Sequence, residues 1–146
     1  MDISLALTIL IALVAIAGVL AVCAKRGASR TTRVHNDAAV DHASLGLAQL
    51  GERATIVQFS TELCSRCPGV QRTIASLVAD APGVAFAHVD VTHRPDLASA
   101  FNLLQTPTVL LLDSAGRTQT RLSGAISRDT ITAELTALTG GLSVAR

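Results

Sequence analysis

Residues 59–70 read FSTELCSRCPGV, with Cys64 and Cys67 three apart and Pro68 straight after the second. The 146-residue chain holds only one other cysteine, Cys23, so a disulfide framework and a four-cysteine zinc site are both excluded. Before the pair, residues 55–60 (TIVQFS) read as a buried strand. After it, Val70, Ile74, Leu77 and Val78 recur at i, i+4, i+7 and i+8, which predicts a helix from about Cys64 or Cys67 to Ala79. A cysteine between a strand end and a helix start meets unpaired N–H groups and the positive end of the helix dipole, so its thiolate is favoured. With two residues between them, the second thiol can reach the first. This points to reversible disulfide chemistry in which Cys64, the more exposed, attacks a substrate disulfide and Cys67 resolves the mixed disulfide. Arg66 adds positive charge between the cysteines, and Pro68 suits a first helical turn, where a missing N–H costs little. Two other readings stay open at this point. The pair could be half of a metal site, with His88 and His93 as nitrogen donors around a different strand, or a purely structural pair.

Working outward, residues 84–89 (VAFAHV) predict a second strand, and Pro95 opens a short third helix to Phe101. Residues 108–112 (TVLLL) predict a strong strand, DSAG a turn, and residues 118–122 its hairpin partner. Ser127 is placed to cap a last helix carrying Ile131, Leu135 and Leu138 on one face. Leu45, Leu47 and Leu50 suggest a short helix ahead of the first strand. The expected fold is α/β. Parallel crossovers in the first part and one antiparallel hairpin strand give a mixed four-to-five-stranded sheet flanked by helices.

In this order of elements the chain resembles the thioredoxin family over roughly residues 41–138. The resemblance is carried by TIVQFS leading to CSRC, by VAFAHVDV with Pro95 after it, by QTPTVLLLDSAGR, and by LSGAISRDTI before the terminal helix. It implies a thioredoxin-like fold and a thiol-disulfide oxidoreductase acting on protein thiols. It also implies a cis peptide bond at Pro107 beside the redox pair, with Thr106 and Pro107 as the platform for an extended substrate peptide. Gly116 then fits the hairpin turn and Gly124 a close backbone approach beside the site. No cofactor is implied beyond the redox-active Cys64–Cys67 disulfide, and no metal. The partners implied are protein disulfide substrates and an upstream thiol reductant or oxidant. The departures are specific. Gln58 stands where the family carries a buried acid, His88 where it carries a neighbouring lysine, and Ser60 and Leu63 where it has tryptophans. Gln58 cannot exchange a proton, so either His88 or water would take the proton of the resolving thiol. A reading from a different class also stands: a non-enzymatic thioredoxin-like binding module that holds a partner in the groove near Pro107.

The N-terminal end has another character. Apolar residues make up 49% of the chain and mean hydropathy is +0.47, an excess concentrated in residues 3–24, ISLALTILIALVAIAGVLAVCA. This uncharged run is about the length that crosses roughly 30 Å of hydrocarbon as a helix. Asp2 before it, and the run's full length, argue against a cleaved signal peptide. A lipoprotein signal ending at Cys23 would want a small residue where Val22 stands, so Cys23 reads as a small apolar residue in lipid. Residues 1–24 are thus expected to be a single transmembrane anchor, 25–40 a flexible basic tether, and 41–146 the folded domain. Lys25, Arg26, Arg30 and Arg33 follow the run and no Lys or Arg precedes it, which places the domain in the cytoplasm, with an extracytoplasmic domain as the alternative. From residue 37 onward eight arginines face ten acidic residues, so nothing suggests nucleic acid. The expected state is monomeric.

Overall fold

The computed structural model describes residues 3–27, 29–33 and 40–140. Parts of the sequence expectations, namely residues 1–2, residues 28 and 34–39 of the tether and 141–146 of the domain, lie outside the described residues. The elements in order are helix α1 (Ile3–Gly27), β1 (Ser29–Arg33), β2 (Ala54–Ser60), α2 (Cys67–Ala79), β3 (Val84–Asp90), α3 (Pro95–Ala100), β4 (Thr108–Asp113), β5 (Thr118–Gly124) and α4 (Arg128–Thr139).

The five strands form one mixed sheet in the order β1-β5-β4-β2-β3. Strand β2 lies inside the sheet between β4 and β3 and is buried at every residue, as its run of apolar and β-branched side chains requires. It pairs in parallel with β3, Gln58 opposite His88, and antiparallel with β4, Phe59 opposite Thr108. Alternation along β2 separates two cores. Ala54 and Ile56 meet Ile74 and Leu77 of α2 and Ile131 and Leu135 of α4 on one face. Val57 and Phe59 meet Leu45, Leu97, Leu110 and Leu112 on the other.

Helix α2 has 13 residues, enough to run back along the sheet and make β2 and β3 parallel. The expectation of a further parallel crossover into β4 is corrected. Helix α3 has only 6 residues and spans about 9 Å, so the chain stays at one end of the sheet and β4 enters antiparallel to β2. Helix α4 starts as its sequence predicts, with the Ser127 hydroxyl accepting from the Thr130 N–H at 3.2 Å. In the β4–β5 turn Gly116 has φ +77°, a conformation that favours glycine.

Two further expectations change. The helix expected around Leu45, Leu47 and Leu50 is a run of turns. The Leu45 N–H donates to the His42 carbonyl and that of Gly46 to Ala43, and Gly46 at φ +72° ends the coil after one turn while Leu45 stays buried. The tether read from residues 25–40 contains β1, whose backbone pairs antiparallel with β5 from Ser29 opposite Gly124 to Arg33 opposite Thr120.

Helix α1 is 25 residues long, and the described aliphatic side chains on it, Leu10, Leu13, Val14 and Leu20 among them, are exposed. Among the described residues no helix is long and apolar enough to cross a membrane, and the anchor expected for residues 1–24 rests on the sequence.

Candidate functional site

The C-terminal end of β2 delivers the chain into the turn that holds both cysteines. The Cys64 N–H donates to the Thr61 carbonyl at 3.0 Å, and the Cys67 N–H to the Cys64 carbonyl at 3.2 Å. Helix α2 begins at Cys67 with Pro68 in its first turn and Arg66 as N-cap, and no side chain caps its N–H groups. The positive end of α2 is therefore free to act on the pair. Cys64 and Cys67 are joined in a disulfide with Cα atoms 5.4 Å apart. Their exposure differs. Cys67 is 4% exposed and packed in the core, while Cys64 is half-buried at the surface. An incoming thiol or disulfide can reach only Cys64.

Beside Cys64 lies the start of β4. The Thr106–Pro107 peptide bond is cis, as the resemblance implies. Thr106 and Cys64 line one shallow depression of about 270 Å³, together with Thr61, Leu63, Ser65 and Arg66. The hydroxyls of Thr61 and Thr106 are 3.1 Å apart, a hydrogen bond that ties the cysteine loop to the residue before the cis-proline. The Gly124 N–H donates to the Pro107 carbonyl at 3.3 Å, so the end of β5 closes the other side. Thr61 follows the strand as an ordinary polar residue, and only the three-dimensional pairing identifies it.

Gln58 is fully buried on the α2 side of β2. Its Nε2 donates to the Cys67 carbonyl at 3.0 Å, while its Oε1 is buried without a hydrogen-bond partner among the described residues. A buried orphan carbonyl costs on the order of 1–3 kcal/mol. Gln58 thus props the first residue of α2 and offers a neutral acceptor beneath the cysteine turn.

His88 lies opposite Gln58 on β3, but its ring is exposed and its Nε2 sits 2.7 Å from the Ser60 hydroxyl. The structure brings together Cys64, Cys67, Thr106, Pro107, Arg66 and Gln58, and gives His88 a partner on the neighbouring strand instead. Nearby, Asp90 is held below the ordinary carboxylate range by the hydroxyl and N–H of Thr92. Among the described residues no group of three or more His, Cys, Asp or Glu could hold a metal ion.

Replacing Gln58 by glutamate keeps the size and one acceptor oxygen but makes the site titratable. Burial raises a carboxyl's pKa, so the folded variant binds its proton more tightly than the unfolded chain does. Stability should then be near that of the parent below the ordinary glutamate value of about 4.3, and should fall as pH rises towards the raised folded value, by about 1.4 kcal/mol per unit of elevation. Chemical denaturation at pH 4 and pH 8 measures this. A variant as stable as the parent at both would mean that Gln58 is not sealed from water.

Residues 41–137 match the family model described as Thioredoxin. Thioredoxin of Mycoplasma pneumoniae is 32% identical over 72 residues, covering 46% of this chain and 71% of that protein. Among solved structures, oxidised mitochondrial thioredoxin 3 of Saccharomyces cerevisiae superposes with a TM-score of 0.56 at 22% identity, over 66% of this chain and 89% of that one. Thioredoxin of Fasciola hepatica gives 0.53 at 24% identity, over 60% and 83%. At those identities the structures establish likeness of fold.

Proposed function

Since the chain belongs to the thioredoxin family and its disulfide-linked cysteine pair makes it a thiol-disulfide oxidoreductase, we propose that Cys64 is its attacking thiol and Cys67 its resolving thiol, acting on protein disulfides. The observation that carries this assignment is the contrast in exposure: a surface Cys64 bonded to a buried Cys67. In the reduced protein the Cys64 thiolate attacks one sulfur of a substrate disulfide, forms a mixed disulfide and expels the other substrate sulfur as thiolate. Cys67 then loses its proton and attacks the Cys64 sulfur. The substrate leaves as a dithiol, and the Cys64–Cys67 disulfide carries away the two oxidising equivalents until an upstream dithiol reduces it.

The α2 N-terminus and Arg66 favour the Cys64 thiolate. Thr106 and Pro107 hold the substrate's extended backbone alongside Cys64. Gln58 has no proton to give or take, and His88 is engaged with Ser60, so the Cys67 proton passes to water. This makes resolution the slower half of the cycle.

Residues 3–24 anchor the protein in a membrane as a single helix, supported by the uncharged run, its length and the exposure of its aliphatic side chains. The cations at Lys25, Arg26, Arg30 and Arg33 support a cytoplasmic domain, where a reducing thiol pool makes it a reductant.

A Cys67→Ser variant cannot resolve the mixed disulfide. It should accumulate covalent adducts through Cys64 that run as higher bands on non-reducing gels and collapse with dithiothreitol. Absence of adducts, with Cys64 shown to be reduced beforehand, would refute the assignment of roles.

A further inference from the structure

The path by which the chain enters the domain sets where the redox site faces. Strand β1 pairs with β5 so that its first residue, Ser29, lies opposite Gly124 and its last, Arg33, opposite Thr120. Gly124 is the residue whose N–H bonds the carbonyl of Pro107, so β1 begins at the redox end of the sheet and runs away from it. The opposite end is marked by the β4–β5 turn at Asp113, whose β2 partner is Ala54, and the chain arrives there at Val40, whose N–H donates to the Gly116 carbonyl. Helix α1 ends at Gly27, two residues before β1 starts at Ser29. Two peptide units and one strand spacing put the end of α1 within about 13 Å of Gly124.

A second observation comes from the surface. Outside α1, the exposed large hydrophobic side chains among the described residues are Leu63, 97% exposed, and Leu104, 96% exposed. Leu63 directly precedes Cys64 and Leu104 lies two residues before Thr106, so both stand at the end of the domain where α1 joins. An exposed leucine on its own needs no explanation, but two at the anchored end share an environment.

We infer that β1 is a strap that holds the redox end of the domain against the surface of the membrane carrying α1, with Leu63 and Leu104 meeting the lipid boundary. The substrates within reach are disulfides of proteins held in or against that membrane. This rests on the anchor reading of residues 3–24.

The chain contains no tryptophan and no tyrosine, so one introduced tryptophan reports by itself. Full-length Leu104→Trp and Ala115→Trp variants, the second in the β4–β5 turn, are reconstituted into phosphatidylcholine vesicles with bromine on the acyl chains close to the headgroup. Flotation checks insertion of α1, and Leu63→Trp serves as a second reporter at the redox end. Quenching at residue 104 is expected to exceed that at residue 115 at least threefold, and to fall to the level of residue 115 when ten Gly-Ser residues are inserted after Gly27. Equal quenching at both ends in floating protein would overturn the inference while leaving the anchor intact. Protein that does not float would overturn both.

Discussion

Cys64→Ser is expected to abolish disulfide exchange, with a loss on the order of 10³-fold or more in the rate of reducing a protein disulfide, because a serine hydroxyl does not ionise near pH 7 and cannot replace the thiolate. The attacking sulfur is the one at the surface. Cys67, at 4% exposure, cannot substitute for it without opening the start of α2. An insulin-reduction assay with dithiothreitol as electron source measures the loss. The fold should persist, since Cys64 sits in a turn outside helix and sheet, and a circular dichroism spectrum like that of the parent would confirm that activity was lost through chemistry. Retention of more than a tenth of parental activity would mean that another thiol attacks.

The largest effect on stability is expected from Phe59→Ala. Phe59 is fully buried in the interior strand β2, its ring centroid 5.0 Å from that of Phe101 at an interplanar angle of 39°. Removing the ring deletes this contact and leaves a cavity between β2 and the segment around α3, at a cost of about 3–5 kcal/mol. Domains of this size are stable by roughly 5–15 kcal/mol, so the variant should lie close to the threshold of folding. Urea denaturation followed by circular dichroism gives the number. A loss under about 1 kcal/mol would mean that the second core tolerates collapse around the site, contrary to its packing. The functional consequence is local, because Phe59 is five residues before Cys64 and β2 sets the position of the cysteine turn.

Most of this architecture is legible in the sequence because its periodicities are clean. Strands β2, β3 and β4 are apolar runs bounded by turn residues, α2 carries a helical stripe, and Ser127 marks the start of α4. Three features were not, each for its own physical reason. Strand β1 reads SRTTR, with no apolar alternation, because Thr31 and Thr32 are both exposed on an edge strand and nothing there needs burial. The direction of β4 is hidden because a helix between two strands is compatible with either sense, and only the 6-residue length of α3 keeps the chain at the redox end. Leu47 and Leu50 lie three apart, as on a helix face, but Gly46 just before them takes a positive φ and breaks the coil.

At the site, Cys64 and Cys67 could be picked out because their type and spacing are demanded by the chemistry, and Thr106 and Pro107 only through the resemblance to the thioredoxin family. Thr61 and Leu104 could not, since a hydroxyl pair across two loops and an exposed leucine leave no pattern in the chain. The role of His88 was legible only as a possibility. Its bond to Ser60 follows from strand pairing, which brings residue 88 level with residue 58 and next to residue 60.

Whether Cys64 and Cys67 form a working dithiol/disulfide couple is decided by redox titration of the full-length protein in detergent. The titration runs against dithiol couples from about −120 to −300 mV, with the pair scored by thiol alkylation. One reversible two-electron transition is expected within that window, tenfold in the oxidised-to-reduced ratio for every 30 mV or so, and it should disappear in Cys67→Ser. A pair that never closes reversibly under any of these couples would contradict it, and would leave a thioredoxin-like module that binds partners near Pro107 without exchanging electrons with them.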